Sequence, residues 1–452
     1  MKEHKVKNLY SGVRGTSVKI LNRIVKTDAY LDKLLDAEMA DTELSSKDKA
    51  LLFEIVHGVI RWMLRLDWIL TGFYKGQFSK AIPDVKNALR VALYQILFLD
   101  KIPEYAAINE SVEFVKRLQG KKAADLTNAI LRNILRNKDN IRFPDKDSDK
   151  ISFLSSYYSH PVWLVKRWLK QFDEEFVIEL MKSNNKRPKL HLRVNRLKTT
   201  SEELTDLIKS VEITFTKGRY FDEYIELVNM SNITDWEYFK KGYFNIQDEA
   251  TGFSIKLLDV KPGDRVLDMC SAPGGKTSFL AAEMENKGEI IALDLHESRI
   301  KALEKNLARL GVENVKTEAV DTLKFKTEEK FDKILADVPC SGSGTIPKKP
   351  DIKWKRSLSD FYEMPKTQFR ILEKGASLLK TGGELVYSTC SIDKEENYGI
   401  IEKFLSKYSN FELVDASCKF DKNIVNSNGC VEIFPHIHGV DGAFAAKIKK
   451  IK

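Results

Sequence analysis

The chain has 452 residues, of which 43% are hydrophobic and 31% are charged. That length predicts two or three globular domains, each able to bury its own core, and the hydrophobic content excludes a largely disordered chain. The net charge of +9 indicates a polyanionic partner, although lysines on solvated surfaces would give the same excess.

No segment of the sequence is predicted to enter a membrane. The N-terminal residues MKEHKVKNLYSG contain no apolar run, and the longest apolar run, from Val91 to Leu99, is short and interrupted by Gln95. The five cysteines include no CxxC pair, which argues against a disulfide scaffold and a zinc ribbon. We therefore expect a cytoplasmic protein with reduced thiols and no bound metal.

The first third of the chain has a helical pattern. Apolar residues recur at three- and four-residue spacing over residues 19–137, which predicts an all-α bundle across 1–140, with Ser45 and Asp84 at the starts of two helices. Basic side chains run through it and could form an RNA-binding surface or simply the solvated faces of helices. They are Arg61, Arg65, Arg90, Lys116, Arg117, Lys121, Lys122, Arg132 and Arg136.

Residues 141–243 are predicted to form a linker followed by a small α+β module. The strand Leu190–Val194 alternates apolar and polar residues, a capping box at Thr200 starts a helix, and a second strand is expected over 211–215. One face of the first strand carries polar residues, continued by Arg196 and Lys198. That face, formed by His191, Arg193 and Asn195, could contact RNA phosphates or simply face solvent.

Strands and helices alternate strictly over residues 244–452, which predicts an α/β, Rossmann-like domain with a mostly parallel sheet. Two further strands near the end, at 430–434 and 442–448, are expected to form an antiparallel pair at the sheet edge. The five main strands are predicted at Val266–Met269, Ile290–Leu293, Val315–Ala319, Lys333–Ala336 and Glu384–Tyr387.

The first of these strands runs into a glycine turn and a helix, in the stretch VLDMCSAPGGKT at 266–277. Such a turn lets backbone N–H groups approach a ligand at a partly positive helix N-terminus. Asp294 ends the next strand, where a nucleoside cofactor's ribose hydroxyls would bind. The pattern predicts a nucleotide-type site, with an ordinary strand-to-helix turn as the alternative. A phosphate loop is excluded because the Gly-x-x-x-x-Gly-Lys spacing is absent.

Ligands of open α/β sheets bind at the carboxyl ends of the strands, and those ends carry polar residues and thiols. Cys340 and Cys390 follow two strands and are expected to converge on one rim, which favours thiol chemistry. Between them, a basic stretch around Trp354 is suited to phosphate neutralisation and base stacking. The other strand-end residues are Asp268, Cys270, Asp294, Asp321, Asp337, Thr389 and Ser391, and the basic ones are Lys348, Lys349, Lys353, Lys355 and Arg356.

Three motifs stand at Cys270–Lys276, at Asp337–Gly342, and at Ser388–Ser391 followed by Glu395–Asn397. They resemble those of the Sun-type family of RNA cytosine-5 methyltransferases, which use S-adenosylmethionine. The helical region also resembles the NusB-like RNA-binding domain, and the domain order resembles that of bacterial enzymes that methylate small-subunit ribosomal RNA. The resemblance thus covers nearly the whole chain. The motifs are Cys270-Ser271-Ala272-Pro273-Gly274-Gly275-Lys276, Asp337-Val338-Pro339-Cys340-Ser341-Gly342, and Ser388-Thr389-Cys390-Ser391 followed by Glu395-Glu396-Asn397.

The resemblance implies which residues bind the cofactor. The loop from Cys270 to Lys276 would surround the methionine and ribose parts of S-adenosylmethionine, with Asp294 on the ribose hydroxyls and Asp321 near the adenine amine. Asp337 would line the same cofactor site and contact the cytosine ring near nitrogen-3.

Two thiols fit the chemistry of cytosine methylation. Carbon-5 is a poor nucleophile until a thiolate adds to carbon-6, and a base must later remove the carbon-5 proton so that the thiol can leave. By resemblance Cys390 is the nucleophile and Cys340 assists release. The residues alone leave this assignment open, because DNA cytosine-5 methyltransferases carry their nucleophile in a Pro-Cys motif like that of Cys340.

The resemblance further implies that the substrate is 16S ribosomal RNA. Because the target carbon lies inside the stack of a paired base, we expect a cytosine in a single strand or hairpin loop. The protein is expected to be a monomer. Transfer RNA is an alternative substrate, and a catalytically inactive RNA-binding scaffold is an alternative function. The histidines are scattered, and His436 and His438 are expected in a surface turn without a metal.

Overall fold

The computed structural model describes residues 9–27, 29–40, 42, 44–228 and 233–452. The first eight residues belong to the N-terminal stretch that was predicted not to enter a membrane, and they lie outside the described residues. The chain forms two compact units, one of residues 1–185 with 349–355 and one of residues 186–348 with 356–452. The division into three domains at 1–140, 141–243 and 244–452 stays a prediction.

The first unit is a helical bundle, as predicted for the N-terminal region. Its core is built from apolar side chains at helical spacing, such as Leu52, Val56 and Leu89, which are fully buried. The Ser45 hydroxyl accepts the backbone N–H of Asp48, which confirms the predicted cap. The helices are Gly12–Lys26, Leu31–Ala40, Ser46–Arg61, Met63–Phe73, Pro83–Phe98, Glu104–Gln119, Lys121–Arg136, Lys150–Tyr158, Val162–Gln171, Glu174–Asn184 and Ile352–Lys355.

The segment 349–355 belongs to this helical unit although it lies far along the sequence. The Asp351 carboxylate accepts the backbone N–H of Leu31, where a helix begins, at 3.0 Å. The buried Lys353 amine donates to the carbonyl oxygens of Arg61 and Ser159, both at 2.8 Å. Burial, with the nearby Arg61 charge, holds the pKa of Lys353 well below its ordinary value.

The structure contradicts the predicted role of Lys353, Trp354 and Lys355 in phosphate neutralisation and base stacking. The Trp354 ring N–H donates to the carbonyl oxygen of Ile60, and the Lys355 amine donates to those of Ile24 and Thr27. These side chains therefore hold the helical bundle together. The sequence pattern was ambiguous because lysine and tryptophan also satisfy buried backbone carbonyls.

Three of the basic residues considered for RNA binding in this unit also have structural roles. Arg90 is buried and donates to the Asp67 carboxylate through two nitrogens, at 2.6 and 2.7 Å. The Arg65 guanidinium lies among the rings of Trp62, Phe143 and Tyr157. Arg61 is buried as well. The other six remain exposed.

The second unit begins with a small antiparallel sheet in the order β2-β3-β1-β4. The capping box at Thr200 and Glu203 is confirmed and starts the helix Ser201–Ser210. The strand predicted over 211–215 is wrong, since a turn follows the helix and the strand begins at Phe215. The strands are β1 (Leu190–Val194), β2 (Phe215–Lys217), β3 (Tyr224–Leu227) and β4 (Phe244–Ile246).

The polar face of β1 corrects another prediction. His191, Arg193 and Asn195 are buried, and none of them faces solvent. Arg193 donates to the Gln247 amide oxygen at 2.6 Å and to the Ser278 hydroxyl at 2.9 Å. This face packs within the protein, because every charged or polar group finds an internal partner.

The large sheet has the order β10-β12-β9-β8-β5-β6-β7, with β11 paired to β12. The strands β5 to β9 are parallel, which confirms the predicted α/β class, and β12 runs antiparallel to β9. The strands are β5 (Arg265–Asp268), β6 (Glu289–Asp294), β7 (Val315–Ala319), β8 (Phe331–Asp337), β9 (Leu379–Thr389), β10 (Phe411–Val414), β11 (Val431–Ile433) and β12 (Ala443–Lys450).

Helices accompany the strands along the whole second unit. They are Ser201–Ser210, Glu237–Lys240, Ala250–Leu258, Gly275–Glu283, Glu297–Leu310, Asp360–Leu378, Tyr398–Lys407 and Pro435–His438. The predicted pair at the sheet edge is present as β11 and β12, but β10, which the sequence analysis did not identify, forms the outer edge. Over the described residues of the chain, no helix is both long and apolar enough to span a membrane.

Candidate active site

The candidate site lies where the order of the parallel strands reverses. The chain runs from β5 outward through β6 to β7 and then returns to place β8 on the other side of β5. Open α/β sheets bind ligands at the carboxyl ends of the strands beside such a reversal. The residues that follow β5, β8 and β9 are therefore brought to one edge.

The loop from Cys270 to Lys276 connects β5 to the helix Gly275–Glu283. The Ser271 backbone N–H and hydroxyl both donate to the Leu293 carbonyl oxygen, which ties the loop to β6. Gly274 has φ of 98°, and a Cβ there would lie 2.5 Å from the Leu303 side chain. Glycine is thus required by both the backbone conformation and the close packing.

Asp268 ends β5 beneath this loop. Its carboxylate accepts the Thr277 hydroxyl at 2.7 Å through one oxygen, and the other oxygen, also buried, has no partner among the described residues. Burial, together with the Asp337 charge, raises the pKa of Asp268 to about 7. A buried, underused acceptor of this kind is suited to a cationic or hydroxyl-bearing ligand.

Replacing Asp268 with asparagine should flatten the dependence of stability on pH. The folded protein keeps a proton on Asp268 between about pH 4 and 7 whereas the unfolded chain releases it, so stability falls as pH rises through this window. When the pH is raised from 5 to 7, the free energy of unfolding should fall by about 2 kcal/mol less in the variant than in the unsubstituted protein. Denaturant unfolding at several pH values measures this, and Asp222→Asn, at an exposed position, is the control. Equal slopes for all three proteins would contradict the prediction.

Asp294 and Asp321 follow the next two strands. The buried Asp294 carboxylate accepts the backbone N–H groups of Ala272 and His296, both at 3.3 Å, and lies 3.4 Å from an Arg299 nitrogen. Asp321 is half-buried and accepts the backbone N–H of Leu323 at 3.0 Å. Asp294 therefore reaches the Cys270–Lys276 loop from the neighbouring strand, while Asp321 lies after the strand beyond it.

These carboxylates and the glycine loop fit S-adenosylmethionine, which presents a cationic methionine part and ribose hydroxyls. Asp268 offers an unpaired buried oxygen, and Asp294 reaches the loop at Ala272. The small residues of the loop leave its backbone open to a close ligand.

Asp337 ends β8 and pairs with Lys276. One carboxylate oxygen lies 2.5 Å from the Lys276 amine and accepts the Ser388 hydroxyl at 2.8 Å. Burial alone would lower the pKa of Lys276, but the Asp337 charge, with a contribution from Cys390, raises it. A firmly cationic lysine therefore lies near Cys390.

Cys340 and Cys390 lie side by side, with their sulfur atoms 3.2 Å apart and no disulfide between them. The hydrogen bond to Cys390, followed by burial, raises the pKa of Cys340 well above its ordinary value. Arg356 donates to the carbonyl oxygens of Cys340 and Ser341, at 3.3 and 3.1 Å, and so fixes the loop after β8. The arrangement favours the protonated thiol of Cys340.

The third cysteine of the site, Cys270, is in a different situation. Burial raises its pKa, with further contributions from the charges of Asp268, Asp337 and Asp294. A thiol held protonated among carboxylates is a poor nucleophile.

Lys348 does not act as a free phosphate ligand, contrary to the prediction. Its amine is paired with Asp248 and lies 3.1 Å from an Asp441 oxygen. The Asp248 carboxylate also lies 3.0 Å from the His191 ring, and burial raises the pKa of Asp441 to about 7. The four members of this buried charge cluster come from distant parts of the chain, so no local sequence pattern predicts it. They are His191, Asp248, Lys348 and Asp441.

His438 is also placed differently from the prediction. It is buried, its ring accepts the backbone N–H of Phe434 at 2.9 Å, and it lies in the helix Pro435–His438. In the part of the chain that the structure describes, no group of histidine, cysteine and carboxylate residues has the arrangement of a metal site.

Three family models match separate stretches of the chain. A family model for the 16S rRNA methyltransferases RsmB/F matches residues 255–449, a NusB family model matches residues 11–136, and a model for the ferredoxin-like domain of RsmF/B-like methyltransferases matches residues 160–234. The ferredoxin-like match covers β1, β2 and β3 of the small antiparallel sheet and the two helices that precede β1.

Individual proteins and a solved structure are similar to the chain over nearly its whole length. A probable ribosomal RNA small subunit methyltransferase B from Bacillus subtilis is 34% identical over 97% of this chain and 99% of its own. The corresponding methyltransferase B from Yersinia enterocolitica is 31% identical over 98% of this chain and 100% of its own. The crystal structure of PH0851 is 28% identical, with a TM-score of 0.81 over 97% of this chain and 99% of that one.

Proposed function

Because the chain belongs to the RsmB/F family of 16S rRNA methyltransferases, we propose that it transfers a methyl group to carbon-5 of a cytosine in 16S ribosomal RNA. S-adenosylmethionine, the cofactor of this family, supplies the methyl group. The reaction proceeds through a covalent bond between the enzyme and carbon-6 of the base. The observation that carries the proposal is the 3.2 Å separation of the Cys340 and Cys390 sulfur atoms at the ends of adjacent parallel strands.

Cys390 is the nucleophile in this proposal. The Lys276 ammonium and the thiol of Cys340 both stabilise a negative charge on its sulfur. The sulfur lone pair forms the bond to carbon-6, and the electrons of the carbon-5 to carbon-6 double bond become available at carbon-5. Carbon-5 would use them to bond to the methyl group, while the bond between that methyl group and the cofactor sulfur would break with its electrons left on that sulfur. Asp337, held by Lys276 and Ser388, contacts the ring near nitrogen-3 and stabilises the added state.

Release of the product requires loss of the carbon-5 proton. The electrons of that carbon–hydrogen bond restore the double bond, and the bond between carbon-6 and the Cys390 sulfur breaks with its electrons returning to sulfur. Cys340 lies close enough to Cys390 to assist this step by giving its own proton to the leaving sulfur while it takes the carbon-5 proton. The two thiols thus have separate tasks.

The target carbon lies inside the stack of a paired base, so the cytosine must be flipped out or lie in a single strand or hairpin loop. Exposed basic residues of the helical unit, some of them beside the turn at Gly120, are suited to bind the RNA backbone. They are Lys116, Arg117, Lys121, Lys122, Arg132 and Arg136. An rRNA substrate also agrees with the expected cytoplasmic location, and a monomer remains the expected state.

Transfer of labelled methyl groups to total bacterial RNA, followed by mapping of 5-methylcytosine, tests the proposal. The label should appear as 5-methylcytosine in 16S ribosomal RNA and should be absent with Cys390→Ala. Label confined to transfer RNA would contradict the proposed substrate. Binding of S-adenosylmethionine without transfer to any RNA would favour an inactive RNA-binding scaffold.

A further inference from the structure

A buried carboxylate lies behind the two cysteines and receives hydrogen bonds from both of their loops. Glu396 follows β9 and is fully buried. One of its oxygens accepts the hydroxyls of Ser341 and Ser391, both at 2.5 Å. The other accepts the Ser341 backbone N–H at 2.8 Å and the Gln368 amide at 2.9 Å. Four donors therefore converge on one side chain.

The positions of these donors relate Glu396 to the thiols. Ser341 directly follows Cys340, and Ser391 directly follows Cys390. Gln368 also donates to the carbonyl oxygen of Pro339, the residue before Cys340, at 3.0 Å. The carboxylate thus joins the two cysteine-bearing loops at points adjacent to each sulfur.

The charge of Glu396 has no cationic partner among the described residues, and the donors around it are all neutral. A buried carboxylate in such a setting is stabilised by the hydrogen bonds themselves, which makes their geometry restrictive. After the hydrogen bond to Cys390 and burial, the Glu396 charge also contributes to the raised pKa of Cys340. The hydrogen bonds therefore relate Glu396 to both cysteine loops, and its charge acts on Cys340.

We propose that Glu396 is a positioning residue that holds Cys340 and Cys390 at the separation and orientation needed for successive bond formation and release. This inference rests on the proposed two-cysteine function. Ser391 transmits the constraint to the nucleophile, and Ser341 transmits it to the thiol that assists release. Neither serine nor Glu396 needs to touch the RNA or the cofactor.

Glu396→Gln tests the positioning, because an amide cannot accept from all four donors and its own N–H groups face them. The variant should lower kcat about 100-fold, while KM for RNA and the affinity for S-adenosylmethionine change less than about twofold. Glu395→Gln is the matched control, since it makes the same change at the adjacent, exposed position. Equal kcat values for the two variants would overturn the proposal.

The two serines separate positioning from a general loss of stability. Ser391→Ala should slow formation of the covalent RNA adduct, whereas Ser341→Ala should let the adduct accumulate on denaturing gels. A purely structural role of the network would affect both variants alike, and that result would also overturn the proposal. Cys340→Ala is measured in parallel. If neither Cys340→Ala nor Cys390→Ala gives an adduct, the two-cysteine function fails. If Cys340→Ala gives the adduct and Glu396→Gln turns over normally, only the positioning fails.

Discussion

Cys390→Ala is expected to abolish methyl transfer, by on the order of 10⁴-fold or more, because carbon-6 then lacks its sulfur nucleophile. Cys340 should not substitute, since its hydrogen bond and burial favour the protonated thiol. S-adenosylmethionine should still bind, because the loop from Cys270 to Lys276 is unchanged. The measurement is single-turnover transfer of labelled methyl groups to unmodified 16S ribosomal RNA.

Cys340→Ala is the companion experiment and should give a different defect. Addition and methyl transfer remain possible, but release is slowed, so a covalent RNA–protein adduct should persist on a denaturing gel. Cys418→Ala, which removes an exposed thiol elsewhere in the chain, should behave like the unsubstituted protein. An adduct with Cys390→Ala and none with Cys340→Ala would reverse the two roles.

Lys353→Met should be the most destabilising of the proposed substitutions. It removes the donor to the buried carbonyl oxygens of Arg61 and Ser159 while keeping the length of the side chain. Leaving two such groups without that donor should cost about 3 kcal/mol of unfolding free energy. The midpoint of thermal unfolding of the helical unit should fall by roughly 6–12 °C.

The control for this substitution is Lys349→Met, which makes the same chemical change at an exposed position of the same segment. It should shift the midpoint by little, as surface substitutions generally do. Calorimetry or circular dichroism of the full chain measures both variants. If the two midpoints were equal, the buried hydrogen bonds of Lys353 would not contribute to stability.

The sequence predicted those features that depend on local pattern and on the general rule for strand ends. The parallel strands, the capping box at Thr200 and the helical N-terminal region follow from periodicity and turn residues. The proximity of Cys340 and Cys390 could be expected because both follow neighbouring parallel strands.

The features that the sequence did not predict depend on partners that are distant in the chain. Arg193 lies in a strand with the alternating pattern of a solvated face, yet it donates hydrogen bonds to Gln247 and Ser278. Lys353 lies in a basic stretch typical of phosphate binding, yet its amine donates hydrogen bonds to the backbone carbonyl oxygens of Arg61 and Ser159. The sequence alone does not show whether a charged residue is exposed or buried, because either water or a buried acceptor can take its hydrogen bonds.

The segment 349–355 also constrains the order in which the protein folds. It follows the other residues of the helical unit by about 160 positions. At the usual rates of synthesis, this delay lasts roughly 8–30 s. During that time Leu31, Arg61 and Ser159 have emerged from the ribosome without Asp351 and Lys353. The part of the protein that is made first is therefore completed only after strands β1 to β8 have been synthesised.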